Sequence, residues 1–397
     1  MHTEATVVNP TAAVDTSESR FSPSLVRAVA NTAMGRSDVL PFWFGESDQP
    51  TPAFIRDAAI ASLHSGETFY SENLGRPYLR DAIAAYLSNL HQRPMPTSRV
   101  AVTASGVSAL MMATQLLVAP GDRVVTVTPL WPNAVEIPKV MGGRVTCVSL
   151  EVQDGRWALP LDRLLQALTP QTRMLVLNSP NNPTGWTIQR EEQQTLLQHC
   201  RRHGIWIIAD DVYERLVYAP GLASAPSFLT LAEDDDRLIV VNSFSKAWTM
   251  TGWRAGWMVA PPSAMADLAA LIEFNVSCVS EFTQRACVAA VQQGEPYVQQ
   301  VRAQLADTRR KLTAALQPFA QLDIPEADGA MYLFLRVAGE GDSLSLAKRL
   351  IQEVGLGLAP GRAFGPEGEG WLRWCYASDW TKIESGIERL SRFLAGR

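Results

Sequence analysis

Leu238-Ile239-Val240-Val241-Asn242-Ser243-Phe244-Ser245-Lys246 begins as a run of branched apolar residues and ends in a lysine. Successive Ile and Val leave no polar face, so the run reads as a strand buried on both sides. Lys246 then stands at the end of that strand, behind the hydroxyls of Ser243 and Ser245 and eight residues ahead of Arg254. The plain alternative is a surface lysine. The position suits instead a nucleophilic amine, desolvated and placed beside groups that can hold an anion.

Six further runs share the pattern: Val100–Thr103, Val124–Val127, Val145–Leu150, Met174–Asn178, Ile205–Asp210 and Trp257–Ala260. Helical spacing separates several of them, notably over Ser108–Leu117 and Glu191–Arg202. Apolar strands alternating with helices predict an α/β fold, a mainly parallel seven-stranded sheet in a three-layer α/β/α arrangement. Ligands of such sheets bind at the carboxyl ends of the strands. Before the sheet, residues 1–20 show no periodicity, 21–36 predict a short helix, and Val39–Phe44 is an apolar run. Helices are expected after Pro52 and after Gly75. A long helix is expected to begin near residue 263 and to run through Leu271 and Phe274. Beyond residue 290 the pattern becomes helix (Val301–Leu316), strand (Met331–Val337), helix (Ser345–Val354), strand (Trp371–Tyr376) and helix (Ile383–Leu394). The chain therefore divides into a large domain over 46–290 and a smaller α+β domain over 291–397, with 1–45 as an arm against the latter.

The 397 residues are 47% apolar and 19% charged, and Lys+Arg 35 against Asp+Glu 40 give a net charge of −5. That balance argues against a nucleic-acid groove or a polybasic membrane patch. The longest uncharged run, Val100 to Gly121, is broken by Thr103, Ser105, Gly106, Gln115 and Pro120, so no membrane span is expected. No apolar leader segment follows the start. The five cysteines have no CxxC spacing and read as buried structural thiols in a reducing, cytoplasmic setting. His199 and His203 have ligand spacing, but their polar flanks favour a solvated face over a metal site.

Four other strand ends carry chemistry. Asp210 ends Ile205-Trp-Ile-Ile-Ala-Asp210, where a carboxylate could keep a ring nitrogen protonated; an ordinary turn cap is the alternative, and Asp211 is a rival. Tyr213 follows three residues later, and Asn182 sits in the proline-fixed loop Asn178-Ser-Pro-Asn-Asn182-Pro-Thr-Gly185; both could donate to a phenolic oxygen. Ser105-Gly106-Val107 lies between strand and helix, where backbone amides can face a phosphate. Arg254 offers a bidentate cation and Trp131 a stacking face. Aldehyde, pyridine nitrogen, phenolic oxygen and phosphate are the features of pyridoxal 5′-phosphate. In that reading Lys246 is the amine that condenses with its aldehyde, and later the base that moves the substrate's α-proton.

The ordered set Ser105-Gly106, Trp131, Asn182-Pro-Thr-Gly, Asp210-x-x-Tyr213, Ser243-x-Ser-Lys246 and Arg254 resembles the fold-type I pyridoxal-phosphate enzymes, specifically the class I/II aminotransferases. The likeness extends to Gly45, to Tyr70-x4-Gly75, to Pro360-Gly-x-x-Phe364-Gly and to Arg373 between Trp371 and Trp374. It implies that Arg373 clamps the substrate α-carboxylate, with Asn182 assisting and the Gly45 segment closing over it. It also implies a homodimer in which Tyr70 reaches the phosphate of the neighbouring subunit. The activity implied is ping-pong transfer of an amino group from an L-amino acid to a 2-oxo acid. Val107 stands where some relatives carry a polar or basic residue, and no arginine lies in Phe274–Ser280 to receive a distal carboxylate. With Phe42-Trp43-Phe44 at the entrance, a neutral or aromatic substrate side chain is expected. A C–S lyase acting by β-elimination would use the same groups and is the alternative. A cofactor-sensing domain of a transcription regulator is disfavoured, because 45 leading residues without basic character are too few for a DNA-binding module.

Overall fold

The computed structural model describes residues 23–396; the aperiodic segment 1–20 lies outside the described residues. Seven strands form the main sheet: β1 (Val100–Thr103), β2 (Arg123–Thr128), β3 (Arg144–Ser149), β4 (Thr172–Asn178), β5 (Trp206–Asp210), β6 (Leu238–Ser243) and β7 (Gly256–Val259). Their spatial order is β1-β7-β6-β5-β4-β2-β3. Strands β2 to β6 pair in parallel, and β7 runs antiparallel to both β1 and β6.

Alternation along the strands explains the layers. Val100, Val102, Leu175, Leu177, Ile207, Ala209, Leu238 and Val240 join one buried cluster, while Ala101, Met174, Val176, Ile208, Ile239 and Val241 join another. Odd and even positions point to opposite faces, so each face is covered. One cover is α1 (Gly106–Leu117), which buries Ala109, Leu110, Met112 and Ala113. The other includes the helix Arg190–His203, through Leu196, Leu197 and Cys200. At about 25 cal/mol per Å² of apolar surface, this two-sided burial is the main source of stability.

A second, four-stranded sheet has β8 (Leu322–Asp323), β9 (Tyr332–Val337), β10 (Ala359–Pro360) and β11 (Trp371–Cys375) in the order β8-β9-β11-β10. Leu40–Pro41 pairs in parallel with Leu356–Gly357, and the helix Leu25–Asn31 packs beside Ala359–Pro360. The described residues before 45 are thus tied to the carboxyl-terminal third of the chain.

The helix expected from near residue 263 through Phe274 is present, and one expectation, that of the cysteines, changes. The helix begun near residue 263 ends at Val276, because Ser277 adopts φ 62°, and a separate helix covers Glu281–Gln293. Pro132–Val140 is a helix despite Pro138 inside it. The cysteines are not uniformly buried: Cys147 is exposed and Cys278 partly so. Cys147 lies on β3, which ends the sheet order and leaves Arg144, Thr146 and Cys147 open to solvent.

Candidate active site

The parallel strands end on one edge, and the order reverses there between β2 and β4. The loops after those two strands meet at that point, where Trp131 N–H donates to the Asn182 carbonyl at 2.9 Å. A crevice at such a reversal is where open α/β sheets place their ligands. Here it is a cavity of about 420 Å³. Of the residues singled out from the sequence, Lys246, Asp210, Tyr213, Asn182, Trp131, Ser243, Ser245, Arg254, Gly106, Val107, Gly45 and Arg373 all line it.

Lys246 comes from the turn after β6. Its Nζ donates to the Gly45 carbonyl at 2.6 Å and lies 5.7 Å from the centre of the Tyr213 ring. Burial pushes its ammonium down to about 8, because a charged amine loses its hydration there. Asp210, at the end of β5, is pushed up to about 7 by burial, against the opposing effects of the Val212 N–H and the Lys246 charge. Val212 N–H donates to Asp210 Oδ1 at 3.3 Å. Asp211 is no rival: it turns the other way and accepts from Ser227 Oγ at 2.7 Å.

Arg373 is buried on β11. Its Nη1 donates to Asn182 Oδ1 at 2.9 Å and its Nη2 to the Trp43 carbonyl. The guanidinium lies 4.5 Å from the Tyr332 ring centre and 4.8 Å from that of Phe364. Its Nε is buried without a hydrogen-bond partner among the described residues. The cation packed on aromatics and the candidate anion receptor are therefore the same arginine.

Ser105 is placed differently from the expectation. Its Oγ accepts from Ser108 N–H at 3.1 Å and caps α1, so the cavity meets Gly106 and Val107 instead. Ser105 sits at φ 118°, a conformation rare for residues with a side chain. Gly106 is confined: a Cβ there would lie 3.3 Å from Ser243 Cβ and 3.4 Å from Val212 Cγ1. Ser243 Oγ accepts from Ser245 N–H at 3.1 Å, and Arg254 Nη1 donates to the Thr251 carbonyl at 2.6 Å. Tyr70 is outside this cavity, with 86% of its surface exposed. His199, on the helix Arg190–His203, spends its Nε2 on the Leu168 carbonyl at 2.7 Å.

Among the lining residues that sequence reasoning missed, Tyr332 and Arg27 bear most on chemistry. Tyr332 bonds Tyr213 through their hydroxyls at 2.6 Å, 119 positions apart. In the register Phe334 faces Arg373, and Tyr332 lies two residues from Phe334 on the same face. Once the β9–β11 pairing is known, that alternation identifies it. Arg27 comes from the helix Leu25–Asn31; its guanidinium is 5.5 Å from the Phe44 ring centre and it forms no ion pair among the described residues. Nothing local marked it, because one arginine on a short amphipathic helix reads as surface.

The model of the family "Aminotransferase class I and II" matches residues 37–390. An aspartate aminotransferase of Pyrococcus horikoshii is 29% identical over 94% of this chain and 95% of its own length. A probable aspartate/prephenate aminotransferase of Aquifex aeolicus is 31% identical over 90% of this chain and 91% of its own. Among solved structures, Thermus thermophilus aspartate aminotransferase superposes with a TM-score of 0.88 at 28% identity, covering 94% of this chain and 97% of that one.

Proposed function

The chain belongs to the class I and II aminotransferase family and is a pyridoxal-phosphate-dependent transaminase, and from that premise we propose that it moves the amino group of an L-amino acid to a 2-oxo acid in ping-pong order, with Lys246 as catalytic residue. The observation that carries this reading is the convergence of Lys246, Asp210, Asn182, Tyr213, Arg254 and Arg373 on one cavity.

The residues present fit the cofactor. Asp210 is a buried carboxylate short of positive charge, as its rise to about 7 indicates, and a protonated ring nitrogen supplies that charge. Arg254, the Ser243 and Ser245 hydroxyls and the first-turn amides at Gly106 and Val107 form a donor set for the phosphate. The Asn182 amide and the Tyr213 hydroxyl are donors for the phenolic oxygen. Trp131 borders the same space. When bound, pyridoxal phosphate supplies an electron sink for the charge left when the substrate loses its α-proton.

This chain's own groups do the rest. Arg373, braced by Asn182 and Trp43, offers Nη and Nε hydrogens to the α-carboxylate. That contact orients the Cα–H bond toward Lys246. With the cofactor held there, the Lys246 amine would be the group that takes the α-proton and returns a proton to complete the transfer. An ammonium brought down to about 8 can serve as base near neutrality. The Gly45 carbonyl accepts from Lys246 at 2.6 Å and so helps to place the amine. The donor leaves as its 2-oxo acid before the acceptor enters. The proposal includes a homodimer with Tyr70 donated across the interface, in keeping with its exposure here.

For the substrate side chain, Val26, Phe44, Val107 and Phe364 give the cavity apolar walls and favour a neutral or aromatic group. One observation favours an acidic group instead: Arg27 lines the same cavity without an ion pair among the described residues. The deciding experiment is a single-turnover absorption scan of the loaded protein with each proteinogenic L-amino acid and no oxo acid. Conversion of the cofactor to its amine form with a subset supports transamination and names the side chain. An unchanged band with release of ammonia and pyruvate overturns it in favour of elimination.

A further inference from the structure

Lys246 and Ser245 also border a second cavity, of about 180 Å³, which Trp131 and Asp210 do not line. It lies between the Ser47–Pro50 segment and the helix Glu295–Leu316, and Gln300, Gln304 and Asp48 at its rim are solvent-exposed. Its wall sets a few hydroxyls among the apolar side chains of Val301, Leu305 and Met331. Thr249 Oγ1 and Tyr297 Oη are bonded at 2.9 Å, and Thr308 stands beside them. Thr249 is held at φ 51°, with its carbonyl accepting from Thr51 Oγ1 at 2.7 Å. A non-glycine residue in that conformation costs about 1–3 kcal/mol, and the Thr249 hydroxyl is held by its bonds to Tyr297 Oη and, at 2.8 Å, to the Trp248 carbonyl. A space of that size with a solvent-exposed rim and hydroxyls on its wall accommodates several waters at ~30 Å³ each. The Lys246 side chain thus forms the partition between a cavity that cofactor and substrate fill and one that opens to solvent behind it.

We propose that the second cavity is a water-filled compartment through which the Lys246 ammonium exchanges hydrogens with solvent while substrate occupies the first. The proposal rests on the reading that Lys246 moves the α-proton. The exchange is balanced: a deuteron taken from the substrate passes from the ammonium to a cavity water, and a proton from water returns to the nitrogen.

Two measurements test it. The first is independent of turnover: a high-resolution crystal structure should show ordered waters on Thr249 Oγ1 and Tyr297 Oη, and a dry cavity overturns the proposal even if every amino acid fails to react. The second uses the α-deuterated form of the amino acid selected by the absorption scan, and reads the deuterium retained on the cofactor carbon after one half-reaction. An ammonium has three equivalent hydrogens, so without exchange retention reaches at most about one third. The parent protein should retain roughly a tenth of that limit or less. Gln304→Trp, which plugs the rim, and Thr308→Val, which removes an inner hydroxyl, should each raise retention at least threefold, with half-reaction rates within about twofold. Equal retention in parent and both variants overturns the proposal; Gln304→Trp is at an exposed position, so the test survives if Thr308→Val folds poorly.

Discussion

Arg373→Lys keeps a positive charge at β11 and removes the planar fork. In the parent, Nη1 holds Asn182 Oδ1 at 2.9 Å, Nη2 holds the Trp43 carbonyl, and Nε is a buried donor without a partner among the described residues. A lysine there presents one ammonium with no fixed plane, so it can serve either the brace or the substrate carboxylate, but not both with the original geometry. The loss to substrate is about one charge-assisted hydrogen bond, ~2 kcal/mol. At 1.4 kcal/mol per tenfold, that is a rise of roughly 30-fold in KM for the amino acid. Stacking on Tyr332 and Phe364 is also lost, at about 0.5–1 kcal/mol for each ring, so a modest fall in melting temperature accompanies it. The assay is the amino-acid half-reaction followed by absorption over a range of donor concentrations, with the cofactor band recorded before mixing. KM should rise while the band and the cofactor stoichiometry stay as in the parent. An unchanged KM, or loss of the cofactor with an unaltered donor affinity, would refute the assignment of Arg373 to the substrate carboxylate.

Two further predictions concern charge. The Asp210 carboxyl is raised from its ordinary value near 4 to about 7, so its contribution favours the cofactor-free fold below pH 4 and is lost as pH rises through 7. That loss is on the order of 4 kcal/mol. Cofactor-free Asp210→Asn should therefore be more stable than the parent at pH 8 and equal to it near pH 4; denaturant melts at the two pH values check this, and a pH-independent difference contradicts it. Lys246 needs its free amine to capture the cofactor, and burial brings its ammonium down to about 8. Stopped-flow capture of pyridoxal phosphate by the stripped protein should accelerate with pH and level off above about 8; a rate still climbing tenfold per pH unit at pH 10 contradicts the desolvation of the amine.

The sequence by itself determined the sheet and most of the site. Runs rich in Val, Ile and Leu, most without a polar face, admit little but strands of a covered sheet, and all seven recur as β1 to β7 within one or two residues, β3 being the edge strand that stays partly open. Polar residues just past those runs had to gather, because parallel strands end on the same edge. Asp210, Asn182, Ser243 and Lys246 were legible for that reason.

What the tertiary structure decided depends on contacts between distant segments. Tyr332 joins the site only because β9 pairs with β11 in a register that sets Phe334 opposite Arg373; a shift of one residue would turn it to the other face. Arg27 and Gly45 reach the cavity because Leu40–Pro41 pairs with Leu356–Gly357 and brings the early segment across the strand ends. The Ser105 hydroxyl is spent on a cap, and Cys147 is exposed on an edge strand, for reasons of local geometry and strand order. The cavity behind Lys246 is bounded by residues from 47 to 378. Side-chain periodicity records which face of its own element a residue takes. It does not record which other element will cover that face, and that choice is made by packing and strand register.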